Sequence, residues 1–144
     1  MRCVVQVCKN AKCEVDGKIT GKADYGLMVL VGFTEGDNLD NITKMASKIS
    51  KLRIFPDENG VMNKSVIDVN GEILSISQFT LYADTSKGNR PSYINALPGE
   101  ESTKLYDLFN EEMNKLVHTE TGIFGADMNI TFTNVGPTTI MLEI

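Results

Sequence analysis

The sequence predicts a layered α/β domain in which helices cover one face of the sheets. Two patterns carry that expectation: β-branched runs with tight-turn signals near both ends of the chain, and two amphipathic helical stretches between them. With 144 residues, 42% hydrophobic and 23% charged, the chain fits one domain spanning 1–144, able to bury about 68–70% of its unfolded surface.

Residues 1–8 form the first β-branched run. Residues 13–15 and 18–20 then flank Asp16-Gly17, the dipeptide of a tight hairpin. Residues 25–33 are almost wholly apolar, as expected of a strand covered on both faces. Across 38–52, Ile42, Met45, Ala46, Ile49 and Leu52 recur at helical spacing, with Asp37 or Asn38 placed to cap the start. Residues 53–55 read as extended, 56–60 as a turn, and 72–82 as a strand following Asn70-Gly71. Residues 83–98 form a polar loop. A second helix follows Pro98, with Glu100 and Glu101 in its first turn and a buried stripe of Leu105, Leu108, Phe109 and Leu116. Residues 128–133 and 138–144 read as strands separated by Asn134-Val135-Gly136-Pro137.

The longest apolar run, 27–31, is far shorter than the roughly 20 residues that cross a bilayer, and no secretory signal pattern opens the chain. A cytoplasmic protein without a membrane partner is the expectation. Cys3, Cys8 and Cys13 form no Cys-x-x-Cys pair, and His118 is the single histidine. On a strand, Cys3 and Cys8 point to opposite faces, so buried thiols are favoured over a metal site. His118, beside the expected end of the second helix, reads as a solvated helix terminus rather than a triad base.

Fourteen Lys and Arg against nineteen Asp and Glu give a net charge of −5, which argues against an extensive sequence-blind nucleic-acid groove. The charges are segregated. Lys44, Lys48, Lys51 and Arg53 lie between Asp40 and Asp57 with no acid among them, and Lys87 and Arg90 sit in the polar loop. Such cations are often the solvated face of a helix, and equally they suit a phosphate backbone.

Two segments place polar groups where packing alone does not ask for them. Ser75 to Leu81 sets hydroxyls and an amide into an apolar strand, either bonded to neighbouring backbone or lining a pocket in which Thr80 or main-chain NH groups face a reacting carbonyl. In Asn134-Val135-Gly136-Pro137-Thr138-Thr139, a glycine precedes proline, leaving main chain open to an approaching group; most such pairs are ordinary turns.

Together, Ser77-Gln78-Phe79-Thr80-Leu81 and Asn134-x-Gly136-Pro137-x-Thr139 resemble the paired signature of the D-aminoacyl-tRNA deacylases, also called D-tyrosyl-tRNA deacylases. Further stretches match that family in order: Met1-Arg2-x-Val4-Val5-Gln6, Leu52-Arg53-Ile54-Phe55, Gly60-x-Met62-Asn63, Ala83-Asp84-Thr85, Lys87-Gly88-x-Arg90-Pro91-Ser92 and Thr121-Gly122-x-Phe124-Gly125-Ala126-Asp127-Met128. The resemblance implies an α/β/β domain with mixed, mostly antiparallel sheets forming a pseudo-barrel and two helices on one face. It implies hydrolysis of the ester joining a D-amino acid to the 3'-terminal adenosine of tRNA, without metal or organic cofactor, as a homodimer with sites at the interface. Ser77, Gln78, Phe79 and Thr80 would shape the catalytic pocket. Gly136 and Pro137, as a Gly-cis-Pro pair from the other subunit, would reject L-aminoacyl substrates, with Asn134, Thr139, Phe124 and Met128 also binding substrate. By their charge, Lys87 and Arg90, with Lys44, Lys48 and Lys51, are candidates for meeting the acceptor stem of the tRNA. No DNA partner is implied.

A filter that works by colliding with an L side chain also admits glycine, so glycyl-tRNA, such as that mischarged on tRNA-Ala, is an expected substrate. For the chemical step, attack by Thr80 competes with participation of the adenosine 2'-hydroxyl; the latter is preferred because no convincing base for threonine is present. The sequence departs from the family where Val7 replaces a usual Arg, and where Val135 and Thr138 replace common Asp and Val. A relative of relaxed chirality that clears L-alanine is one alternative. A non-catalytic nucleic-acid module and a small ligand-binding dimer are the others.

Overall fold

The computed structural model describes residues 1–144. Strands β1 (Arg2–Val15) and β2 (Lys18–Gly32) form a long antiparallel hairpin, turning at Asp16 and Gly17 with φ of 50° and 76°. Those positive angles are what the Asp-Gly pair supplies cheaply. Strand β7 (Asn129–Glu143) pairs antiparallel with the free edge of β1. Strand β5 (Glu72–Ser77) pairs parallel with β2, and β6 (Thr119–Thr121) parallel with β5, giving the order β6-β5-β2-β1-β7. A ribbon of β3 (Phe55–Pro56) and β4 (Met62–Lys64) stands apart.

Helix α1 (Leu39–Lys51) starts at Asn38, whose side chain accepts from the NH groups of Asp40 and Asn41 while Asn41 Oδ1 accepts from Asn38 N at 3.1 Å. Helix α2 (Gly99–Asn114) lacks a side-chain cap, and Glu100 and Glu101 instead offer negative charge to its first turn. Both helices cover one face of the sheet. Ile42, Met45 and Ile49 of α1 and Phe109 and Met113 of α2 pack with Val5, Leu27, Val29 and Val31 in one core. Truncating a buried aromatic such as Phe109 to alanine costs about 3–5 kcal/mol.

A second core explains the third layer. Ala11, Cys13 and Ala23, from the far half of the hairpin, pack with Leu74 and Ile76 of β5 and with Ile130 and Phe132 of β7. The long hairpin therefore folds back over the sheet that it begins, producing the expected pseudo-barrel. Gly21 marks where the layers touch: a Cβ there would lie 2.5 Å from the Thr121 carbonyl oxygen. Cys3 enters the first core and Cys8 the second, as their odd spacing on one strand requires, whereas Cys13 joins Cys8 because the strand is irregular between Lys9 and Lys12.

Several element bounds differ from expectation. The strand expected over 72–82 ends at Ser77, and Phe79–Tyr82 form a 3₁₀ helix; the turn buries Tyr82 while leaving Phe79 about half exposed. The stripe of α2 is Ser102, Tyr106, Phe109 and Met113, whereas Leu116 lies beyond the helix and is exposed. The leucines mark a hydrophobic direction, but Tyr106 wins the buried position because its hydroxyl reaches the Ser75 carbonyl at 2.8 Å. Strands β4 and β6 are three residues each, too short to show alternation. No helix is long and apolar enough to cross a membrane.

Candidate active site

At the end of β5, Gln78 N donates to the Val31 carbonyl at 2.7 Å. Immediately afterwards the chain turns into the 3₁₀ helix, whose leading amides have no intrahelical acceptor. Arg2 braces this turn from beneath. Its guanidinium donates to the Leu81 carbonyl at 3.0 Å and lies 4.5 Å over the ring of Tyr82. Burial, reinforced by the charge of Asp37, pushes the Tyr82 phenol up to about 12, so it remains neutral.

Ser77, Gln78 and Phe79 line a cavity of about 350 Å³ whose opposite wall comes from Phe124 to Met128, with Leu30, Ile76 and Ile130 as its apolar floor. Asp127 is the one ionisable side chain in that lining. A small pocket with a mostly apolar lining and a few convergent polar groups is a typical small-ligand site. The structure thus brings Ser77, Gln78, Phe79, Phe124 and Met128 together. Thr80 lies on the adjoining turn, where its hydroxyl hydrogen-bonds the Gln78 side-chain amide. No carboxylate or imidazole hydrogen-bonds Thr80.

Gly136, Pro137, Asn134 and Thr139 do not line this cavity. They form a separate cluster on β7, where the pairing with β1 jumps from Cys8↔Asn134 to Gln6↔Thr139. The Gly136-Pro137 bond is cis. Thr139 Oγ1 is the hub: it accepts from Gln6 Nε2 at 3.2 Å and Asn134 Nδ2 at 3.1 Å, and donates to the Pro137 carbonyl at 3.1 Å. Gly136 has φ +115°, and a Cβ there would meet Thr138 Oγ1 at 2.6 Å. Gly136 and Pro137 are both exposed.

The distance between the two groups follows from topology. β7 is three strands from β5 in sheet order, and although its residue Ile130 reaches the cavity floor, no residue from Asn134 to Thr139 does. Ser77 aligns with Val31, and Val31 with Cys3, whereas the Gly136-Pro137 turn stands beside Val7; that is a further offset of about 13 Å along the strands.

Lys87 and Arg90 are exposed on the loop after the 3₁₀ helix, pinned at its base by paired main-chain bonds between Asp84 and Ser92 of 2.8 and 2.9 Å. Tyr93 then returns to pack edge-on against Phe79, with centroids 4.9 Å apart. His118 is exposed, 3.4 Å from Glu120; its carbonyl accepts from Ile73 N of β5 at 2.9 Å, and it does not line the cavity. Val7 is buried in the helix-side core.

Sequence reasoning did not identify Arg2 as a brace, Gln6 as an anchor or Tyr93 as a wall support. The first two stand within a stretch that matches the family, but each one's role is fixed by a partner 79 or 133 positions away.

A family model described as D-Tyr-tRNA(Tyr) deacylase matches residues 4–143. A D-aminoacyl-tRNA deacylase of Lactobacillus gasseri is 53% identical over 145 residues, covering 100% of both chains. One of Bacillus cytotoxicus is 50% identical over 144 residues, covering 99% of each. Among solved structures, one described as c-Myc DNA Unwinding Element Binding Protein superimposes with a TM-score of 0.94 at 38% identity, covering 100% of this chain and 99% of that one. A second, described as a probable eukaryotic D-amino acid tRNA deacylase, gives 0.85 at 17% identity with coverage of 99% and 98%, a likeness of fold.

Proposed function

The chain belongs to the D-Tyr-tRNA(Tyr) deacylase family and is a hydrolase acting on D-aminoacyl-tRNA; from that premise we propose that it works as a cytoplasmic homodimer whose filter is lent by each protomer to the other. The observation that carries this reading is the separation of the exposed Gly136-Pro137 main chain from the Ser77–Phe79 pocket of the same protomer, three strands away. A second copy brings the turn of one protomer over the pocket of its partner.

In this arrangement Phe79 and Phe124 flank the terminal adenosine, and the leading amides of the 3₁₀ helix donate to the ester oxygen as it becomes an oxyanion. Each such preorganised donor is worth about 10²–10³ in rate. A water oxygen bonds to the ester carbon, the bond from that carbon to the adenosine 3'-oxygen breaks, and the proton released by water ends on that oxygen. The 2'-hydroxyl beside it relays the proton. Thr80 orients Gln78 rather than attacking, since its hydrogen-bond partner is an amide and not a base.

The Gly136-Pro137 main chain contacts the amino group and α-carbon of the substrate, so an L side chain collides with it while a D side chain projects outward. Glycine, having no side chain, is accepted as well. Lys87 and Arg90 meet the phosphates near the 3' end. The experiment is a deacylation assay with D- and L-tyrosyl-tRNA, combined with mixed dimers. A Gly136→Ala protomer and a Phe79→Ala protomer, each impaired alone, should regain D-specific cleavage when reassociated, because one of the two sites then has an intact pocket and an intact filter. Absence of recovery despite proven heterodimers would rule out the shared site.

A further inference from the structure

A concave surface of about 620 Å³, larger than the candidate active-site cavity, lies along the solvent side of α1. It is lined by Thr43, Lys44, Ser47, Lys48, Lys51 and Arg53, with Leu52 as its apolar contribution. No carboxylate contributes to this lining, in a chain of net charge −5. Lys44, Lys48 and Lys51 stand at i, i+4 and i+7, one above another on the helix face opposite Ile42, Met45 and Ile49. All three are exposed, and none lies within ion-pair distance of an acid, although five other lysine and arginine side chains do. Arg53 is fixed at the edge of the strip by Asn63, whose main-chain oxygen accepts from its Nε at 3.1 Å.

Like charges four residues apart repel. The helix C-terminus offsets part of this for Lys48 and Lys51, which occupy the last turn. It offers nothing to Lys44, nor does it account for the hydroxyls of Thr43 and Ser47 set between the lysines. A row of cations alternating with hydroxyl donors on a rigid helix is the chemistry that holds successive phosphates of a nucleic-acid backbone.

We propose that this strip is a second contact surface for the tRNA, gripping the phosphates of its double-helical acceptor arm while the 3' end occupies the pocket. The inference rests on the deacylase reading given above. α1 begins shortly after β2 ends, at the same sheet end as Ser77, with the strip on the helix-covered side of the sheet and the pocket floor of Leu30, Ile76 and Ile130 on the other. From there the lysines extend from about 8 to about 18 Å along the helix axis. A stem held by the strip therefore passes around this end of the sheet while its single-stranded tail reaches the pocket. The contact reads backbone rather than bases, so it serves every tRNA alike.

The test compares the protein with its Lys44→Ala/Lys48→Ala/Lys51→Ala variant on D-tyrosyl-tRNA and on D-tyrosyl-adenosine, which carries no stem, with melting curves to check the fold. For D-tyrosyl-tRNA, KM should rise about ten-fold or more with kcat little changed, and the slope of log(kcat/KM) against log salt should flatten by about 2–3 between roughly 50 and 200 mM. D-tyrosyl-adenosine should be cleaved equally by both proteins, and the Lys→Arg triple variant should restore tRNA cleavage. Unchanged KM and salt slope overturn the proposal, as does an equal loss on both substrates. Loss of affinity for duplex DNA with tRNA affinity intact would assign the strip to DNA and overturn it too. If the wild-type protein cleaves neither substrate, the deacylase reading has failed; titration with uncharged tRNA then still decides the strip, an unchanged affinity and slope overturning it and a weakened one supporting it.

Discussion

Gln6 and Thr139, 133 positions apart, meet across the β1–β7 pair, the amide nitrogen 3.2 Å from the hydroxyl. The same hydroxyl accepts from Asn134 and donates to the carbonyl of Pro137. With two bonds accepted and one donated, its hydrogen-bonding capacity is full. Val7, next to this glutamine, is directed into the core, and the turn is held by Gln6, Asn134 and Thr139.

Thr139→Val removes all three bonds while keeping the shape of the side chain. We expect a stability loss of only about 1 kcal/mol, because all three bonds are solvent-exposed and water can replace the lost partner. We also expect the ratio of D- to L-tyrosyl-tRNA kcat/KM to fall at least about ten-fold. An unaltered ratio would show that the hub does not position the filter.

Gly136→Ala places a methyl group on a residue at φ +115°, 2.6 Å from Thr138 Oγ1 and 2.7 Å from Thr138 N. Backbone strain of this kind costs about 1–3 kcal/mol. Cleavage of D-tyrosyl-tRNA should drop about a hundredfold or more, with a modest reduction in melting temperature. Near wild-type kinetics would mean that the main chain at this position does not approach the substrate.

Thr80→Ala should retain D-tyrosyl-tRNA cleavage within about ten-fold, a loss in line with one misplaced hydrogen bond. A substrate ending in 2'-deoxyadenosine should lose far more with the wild-type enzyme. Strong cleavage of the deoxy substrate, together with an inactive Thr80→Ala variant, would instead make Thr80 the nucleophile.

Glycyl-tRNA should be cleaved and L-alanyl-tRNA spared, because the two substrates differ at the α-carbon only by the methyl group that meets the filter. Comparable cleavage of both would mark a relaxed site, and rejection of both would show that the pocket recognises a D side chain rather than excluding an L one.

Burial raises the thiols of Cys3 and Cys8, the latter from 9.0 to about 12. The native protein should therefore resist thiol reagents at pH 8, with all three cysteines reacting after denaturation. The raised folded-state value favours the native state fully below the unfolded pKa and progressively less above it. This contribution should consequently fade between about pH 9 and pH 12, and Cys8→Ala should flatten the decline in melting temperature over that range. Rapid labelling of Cys8 in the native state would contradict the packing of the second core.

Local chemistry made much of the architecture legible in the sequence. Asp16-Gly17 supplies the positive φ of the hairpin, Asn38 caps α1, and the Ile42, Met45 and Ile49 spacing fixes its buried face. The apolar stretch from Leu27 to Phe33 announces a strand covered on both sides. The matched segments, from Ser77–Leu81 to Asn134–Thr139, identify the family from sequence alone. What the sequence could not decide were relationships between distant positions: that Tyr106 outranks Leu105 for the core, that the far half of the hairpin folds over β5, and that Arg2 braces the turn after Ser77. The place of Gly136-Pro137, exposed and three strands from Phe79, belongs to the same class. Each depends on which strand lies beside which, and strand order is set by packing summed over the whole chain rather than by any one segment.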